Sequence, residues 1–139
     1  MAIHFIPKEI VFLIYADLIR RYGGQPGLRD AGLLDSALAQ PKMTAGGKYV
    51  HRTLFHKAAA YGFHICRNHP FVDGNKRLAF TLMDIFLQKN GWEITASERE
   101  AFAVMMDLAT GNLTKLQLSA WLKSHSKRLS LQKTERPSS

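Results

Sequence analysis

Apolar residues recur at helical spacing along most of this chain, and short polar stretches punctuate the repeats. Ile10, Leu13, Ile14 and Leu18 lie three or four apart, and Val11, Phe12, Tyr15 and Ile19 widen the surface they form. Pro7 suits the first turn of this helix, and Tyr22-Gly23-Gly24 stops it before a turn at Gln25-Pro26-Gly27. Asp30 can cap a second, shorter helix through Leu38, with Leu33, Leu34, Ala37 and Leu38 as its stripe and Pro41 as its end. Thr53 can cap a third helix reaching Asn68, whose buried side comprises Leu54, Phe55, Ala58, Ala59, Phe63 and Cys66. A fourth runs from about Asn75 to Asn90. Leu78, Leu82, Ile85 and Phe86 line one face and Phe80, Met83 and Leu87 another, a nearly continuous apolar surface that belongs in the middle of a bundle.

Past Asn90-Gly91, Trp92-Glu93-Ile94 reads as a short strand. Ser97 and Glu100 have the spacing of a capping box for a fifth helix to about Ala109, and Thr114 opens a last one with Leu118, Trp121 and Leu122 turned inward. The pattern therefore predicts an all-α, single-domain bundle of about six helices over residues 1–125. A basic, polar tail at 126–139 is expected to be disordered. The stretch from Lys42 to Arg52 fits no helix. Gly46-Gly47 at its centre suits a tight hairpin, which makes it an exposed flap or an ordinary connecting loop.

Composition narrows this picture. A chain of 139 residues that is 46% apolar can bury one core. Cys66 is the single cysteine, so no internal disulfide forms, and an inert thiol within a helix is expected. No apolar run reaches membrane-spanning length, no signal-peptide layout opens the chain, and a cytoplasmic location is expected. The net charge of +8 points to anionic partners. Part of it is local, however: from Lys123 to Ser139 there are five cations and one anion.

The chemistry concentrates in His69-Pro70-Phe71-Val72-Asp73-Gly74-Asn75-Lys76-Arg77. Proline disfavours helical geometry at the residue before it, so the third helix ends at His69 and its imidazole can face a cleft as a proton acceptor. Phe71 is the one large aromatic of the loop and can anchor it in the core. Asp73 offers a hard oxygen suited to Mg²⁺. Gly74 permits close approach of the backbone, and Asn75 can cap the next helix or hold a phosphate oxygen. The first turn of that helix presents unpaired N–H groups and the positive end of the helix dipole. Lys76 and Arg77 add cations where the dipole disfavours them, a repulsion that a bound anion relieves. Singly, a histidine before proline is commonly a packing residue and an Asp-Gly pair commonly a turn. Their joint occurrence within nine residues is what points to a phosphate site.

This nonapeptide resembles the signature of the Fic/Doc family, in particular its death-on-curing (Doc-like) toxin branch. Arg21-Tyr22-Gly23-Gly24, Pro26-Gly27-Leu28-Arg29-Asp30, Gly32-Leu33-Leu34-Asp35-Ser36-Ala37-Leu38 and Asn90-Gly91 are similar to Doc-like segments as well, so the likeness runs from about Ile3 to Lys123. The resemblance implies a Fic-like helical bundle that uses ATP as substrate with Mg²⁺. It implies that His69 is the general base and that Asp73 binds Mg²⁺ or positions the target hydroxyl. Gly74, Asn75, Lys76 and Arg77 would hold nucleotide phosphates. The flap Lys42-Met43-Thr44-Ala45-Gly46-Gly47-Lys48-Tyr49-Val50 would align a target segment by strand-like pairing.

Adenylylating members carry glycine where this chain has Lys76. The lysine therefore implies transfer of the γ-phosphate to a Ser or Thr hydroxyl of a translation factor, elongation factor Tu being the family precedent, and so arrest of translation. No Ser/Thr-x-x-x-Glu-Gly/Asn self-inhibitory helix is found, which implies restraint by an antitoxin in trans. The alternatives are AMP transfer to a protein hydroxyl, or a basic helical module that binds nucleic acid or protein. The cations are dispersed and no helix has a clean basic face, so direct nucleic-acid binding is not expected. Gly46-Gly47-Lys48 lacks the upstream glycine of a P-loop. His51 with His56, and His64 with His69, are five apart, which does not place two metal ligands on one helical face, and no structural metal is expected.

Overall fold

The structure, a computed structural model, describes residues 2–129. Within them six helices form where the apolar spacing predicts: α1 Lys8–Tyr22, α2 Ala31–Ala39, α3 Leu54–Asn68, α4 Asn75–Lys89, α5 Glu98–Ala109 and α6 Lys115–Ser124. Four starts are closed by the side chains expected of them. Asp30 accepts the Leu33 N–H and Thr53 the His56 N–H, while Ser97 with Glu100 and Thr114 with Gln117 form complete capping boxes. A cap of this kind contributes about 1 kcal/mol.

The centre is shared by two helices. α4 packs on α3, α1 and α5 as its nearly all-round apolar surface predicts, while α3 packs on α4, α6, α2 and α5. The α3–α4 seam is close because position 62 has no side chain: a Cβ on Gly62 would collide with Met83 Sδ. Leu78, Leu82, Met83, Phe86 and Leu87 of α4 are fully buried against Ala58, Ala59, Tyr61 and Ile65 of α3. Cys66 is half-buried in α3, where burial pushes its thiol up to about 11.

Two small antiparallel pairs complete the fold. Strands β1 Thr44–Ala45 and β2 Lys48–Tyr49 pair as a hairpin, with Thr44 opposite Tyr49 and Ala45 opposite Lys48. Its turn residues Gly46 and Gly47 both have positive φ, 60° and 78°, the geometry that two-residue hairpins demand and glycine supplies. The stretch Lys42–Val50 is thus a hairpin with one correction. Lys42 belongs to a 3-10 turn, Gln40–Lys42, set by Pro41.

Strand β3 Trp92–Ile94 pairs with β4 Ser126–Arg128. The domain therefore does not stop at residue 125. Half-buried Trp92 and Ile94 sit on a strand edge that needs hydrogen-bond partners, and the start of the expected tail supplies them, Leu129 donating to the Gly91 carbonyl. The disorder expected of 130–139 lies outside the described residues. Among the described residues no helix is long and apolar enough to cross a membrane.

Candidate active site

The motif loop joins α3 to α4, the two central helices, so its ends are held by the most deeply packed part of the molecule. α3 ends at Asn68, and His69 caps it in the left-handed region at φ 51°, ψ 55°. Among the described residues it is the one non-glycine with positive φ. Such a conformation costs of order 1 kcal/mol and persists only where surrounding bonds enforce it. Here they do. The His69 N–H donates to the Ile65 carbonyl at 3.0 Å, and its own carbonyl accepts from Arg29 Nε at 2.7 Å. Arg29 also donates to the Asn68 carbonyl at 2.9 Å, so one guanidinium caps the last two carbonyls of the turn. The ring of His69 is exposed and makes no hydrogen bond among the described residues.

The segment after α1 straps this loop. Pro70 O accepts from the backbone N–H of Arg29 at 2.7 Å and of Asp30 at 3.0 Å, and Val72 N–H donates to Gly27 O at 2.9 Å. Phe71 plugs into the core as expected. It is 1% exposed and stacks on Tyr15 at 3.8 Å, with Phe12 edge-on.

Tyr15 Oη donates to the Asp73 carbonyl at 2.8 Å, and burial, more than the neighbouring Asp73 carboxylate, pushes the Tyr15 phenol up. Asp73 itself is exposed. Its Oδ2 accepts the Gln25 N–H at 2.9 Å, leaving Oδ1 without a partner among the described residues. Among those residues no three His, Cys, Asp or Glu side chains converge to hold a metal. One exposed carboxylate oxygen fits Mg²⁺ only as a partial ligand set, with the rest supplied by phosphates and water.

At the start of α4 the N-cap is Gly74, left-handed at φ 86° and without a side-chain cap. Asn75 neither caps this helix nor turns its amide outward. It is 4% exposed, its Oδ1 accepting the Phe71 N–H at 3.1 Å and its Nδ2 donating to the Phe71 carbonyl at 2.8 Å. What Asn75 offers an anion is its backbone N–H. Leu78 N–H is the first to close a helical bond, to Gly74 O, so the N–H groups of Asn75, Lys76 and Arg77 have no intrahelical acceptor.

Lys76 and Arg77 are exposed, and the Arg77 guanidinium lies 4.1 Å over the Tyr22 ring. His69, Asp73 and this open, cationic helix start thus share one loop. Tyr15, Gln25 and Arg29, which hold it, are 40 or more residues away from the loop residues they bond, and no local pattern marks them as its supports. The flap is a separate hairpin. A groove of about 610 Å³ beside the start of α3, lined by Phe55, Trp92, Leu116 and Lys123 among others, contains none of the motif residues.

Comparison with known proteins bears on the same segments. The model of the Fic/DOC family matches residues 5–87, from the start of α1 through the motif into α4. The chain is 32% identical over 111 residues to "Protein kinase doc" of Escherichia phage P1, across 80% of this chain and 86% of that protein. Over 75 residues it is 44% identical to "Toxin Doc" of Mycolicibacterium smegmatis, across 54% of this chain and 58% of that relative.

Proposed function

The chain belongs to the Fic/DOC family, and from that membership we propose that it is a Doc-like toxin that transfers the γ-phosphate of ATP to a Ser or Thr hydroxyl of a translation factor, elongation factor Tu being the target to test first. The observation that carries this reading is the uncapped start of α4, where three backbone N–H groups without intrahelical acceptors stand with exposed Lys76 and Arg77 on the loop that also carries exposed His69. These groups bind and neutralise phosphate oxygens. Asp73 would hold Mg²⁺ through its unpaired oxygen, and Mg²⁺ when bound supplies further charge neutralisation on the phosphates.

His69 takes the proton of the target hydroxyl as that oxygen bonds to the γ-phosphorus. The bond from that phosphorus to the bridging oxygen breaks, and ADP leaves. The strained backbone of His69, held at both its N–H and its carbonyl, orients the ring without occupying it, so most of the catalysis is positioning and electrostatics. Lys76 places a cation and a long side chain in the first turn, which supports presentation of the γ- rather than the α-phosphate. The flap docks the target segment, and an antitoxin supplied in trans restrains the enzyme. The family relatives named as a toxin and as a protein kinase support both parts of this reading.

The test is incubation of the protein and Mg²⁺ with elongation factor Tu and ATP labelled at either the γ- or the α-phosphate. Label on the target from γ-labelled ATP alone is expected. Transfer from α-labelled ATP would replace the kinase reading with adenylyl transfer, and transfer from neither would remove elongation factor Tu as the target.

A further inference from the structure

In the first turn of α3, at the far end from His69, the flap ends on a buried cation. Lys57 is 1% exposed. Its ammonium donates to the carbonyls of His51 at 2.7 Å and Arg52 at 3.1 Å, and lies 4.2 Å from the centroid of the Tyr49 ring. All three partners belong to the returning limb of the flap: Tyr49 ends β2, and His51 and Arg52 link it to α3. Among the described residues no carboxylate takes part, and burial lowers the affinity of this amine for its proton. A buried ammonium without a counter-ion is costly unless every donor is met. Here two carbonyl dipoles and the face of an aromatic ring meet them.

The same limb is held a second time. His51 is 2% exposed, and its Nε2 lies 2.9 Å from Lys115 Nζ of α6, while its ring stands edge-on to His56. By contrast, Thr44 to Lys48 at the hairpin tip are exposed and rest on their own two-rung pairing and the bond from Val50 N–H to Met43 O. The returning limb is therefore the fixed part of the flap and the tip the free part. α3 is a rigid rod from Lys57 to His69, about 18 Å along its axis.

We propose that Lys57 is a positioning residue: it pins the returning limb of the flap to the helix that carries His69, and so sets where a docked target strand lies relative to the base. The functional half of this inference rests on the proposed role of the flap in target docking, while the pin itself stands on geometry alone.

Lys57→Met keeps the length of the stem and removes the charge and the donors. In the full chain, amide exchange across residues 43–52 is expected to rise about tenfold, with exchange across 69–77 unchanged. The KM for elongation factor Tu should rise about tenfold, with kcat and the KM for ATP within about twofold of the parent. Unchanged flap exchange in the folded variant overturns the pin. Faster flap exchange with an unchanged target KM leaves the pin standing and refutes docking on the flap. Should Lys57→Met not fold, Tyr49→Leu removes the ring from the flap side while both carbonyls keep their donor. It must also raise exchange at 44–50, by a smaller factor, and no rise there overturns the proposal.

Discussion

His69 at the end of α3 and the histidines along its flank are handled in opposite ways. At His69 the backbone is held from both sides, by Ile65 O and by Arg29, and the ring is left exposed and unbonded among the described residues. At His51 and His64 the rings are the part that is held: Lys115 Nζ lies 2.9 Å from the Nε2 of each. Burial, with help from Lys115, pushes both of these imidazoles down to about 4. They are neutral fillers at cellular pH, accepting hydrogen bonds from a lysine between α3 and α6. The difference separates two uses of one residue type. A ring that moves a proton needs a fixed backbone and an open nitrogen, whereas a ring that holds elements together needs a buried, partnered nitrogen, here Nε2, and a low proton affinity.

The sharpest way to break this contrast is His69→Ala. Loss of a general base costs about 10²- to 10⁴-fold, so γ-phosphate transfer should fall by roughly a thousandfold. Thermal unfolding should stay within about 2 °C of the parent, because no hydrogen bond among the described residues runs through the ring. A large loss of stability with this substitution would show that the loop ring is structural after all.

Acid should act the other way, on the flank. Folded His51 and His64 titrate near 4 and their unfolded counterparts near 6.5, so between those values the unfolded chain binds more protons than the folded one. The stability they contribute is complete above pH 6.5 and is lost as pH falls towards 4. The two shifts together correspond to roughly 5 kcal/mol between pH 7 and 4.5 before solvent screening and the coupling of the two rings reduce it. Denaturant melts at pH 7, 5.5 and 4.5 should therefore show a loss of about 2 to 5 kcal/mol across this window. His64→Leu should flatten part of that slope. Equal slopes in the variant and the parent would place the acid sensitivity elsewhere.

What could be read from the sequence divides along a related line. Helices were legible because each carries its own apolar stripe, and four of their starts because Asp30, Thr53, Ser97 and Thr114 each cap the residue three positions on. The hairpin was legible because Gly46-Gly47 supplies a conformation that other residues resist. The motif was legible because its chemistry lies within nine residues.

The supports of that chemistry were not. Lys57 reads as a surface charge in any helical pattern, and only the carbonyls and ring brought to it by the folded flap make its burial possible. Lys115 joins His51 to His64 across 64 and 51 positions. Ser126–Arg128 is a three-residue polar strand with no period to reveal it. Asn75 shows the subtler limit. Its contact with Phe71 is only four residues long, yet an asparagine at the start of a helix can cap, brace or bind, and sequence does not choose among these.

Arg29 gives the smallest effect expected and the finest test of the contrast. Its fork holds the carbonyls of Asn68 and His69, and it reaches the base only through that backbone. Arg29→Met frees two carbonyls near the surface, where water replaces the lost donors, so stability should change by no more than about 1 kcal/mol. The left-handed turn keeps the bond from His69 N–H to Ile65 O and the two backbone bonds to Pro70 O, which limits how far the ring can wander. Transfer should therefore fall only about three- to tenfold, in kcat rather than in the KM for ATP. Arg29→Lys separates charge from geometry. A lysine restores the cation but is a single point donor that cannot span both carbonyls in one plane, so it should recover little of the lost rate. If lysine restored the rate in full, the guanidinium would be acting through its charge on the bound phosphates. If neither variant lost rate, the main-chain bonds alone would hold His69, and the loop and the flank would differ only in what surrounds their rings.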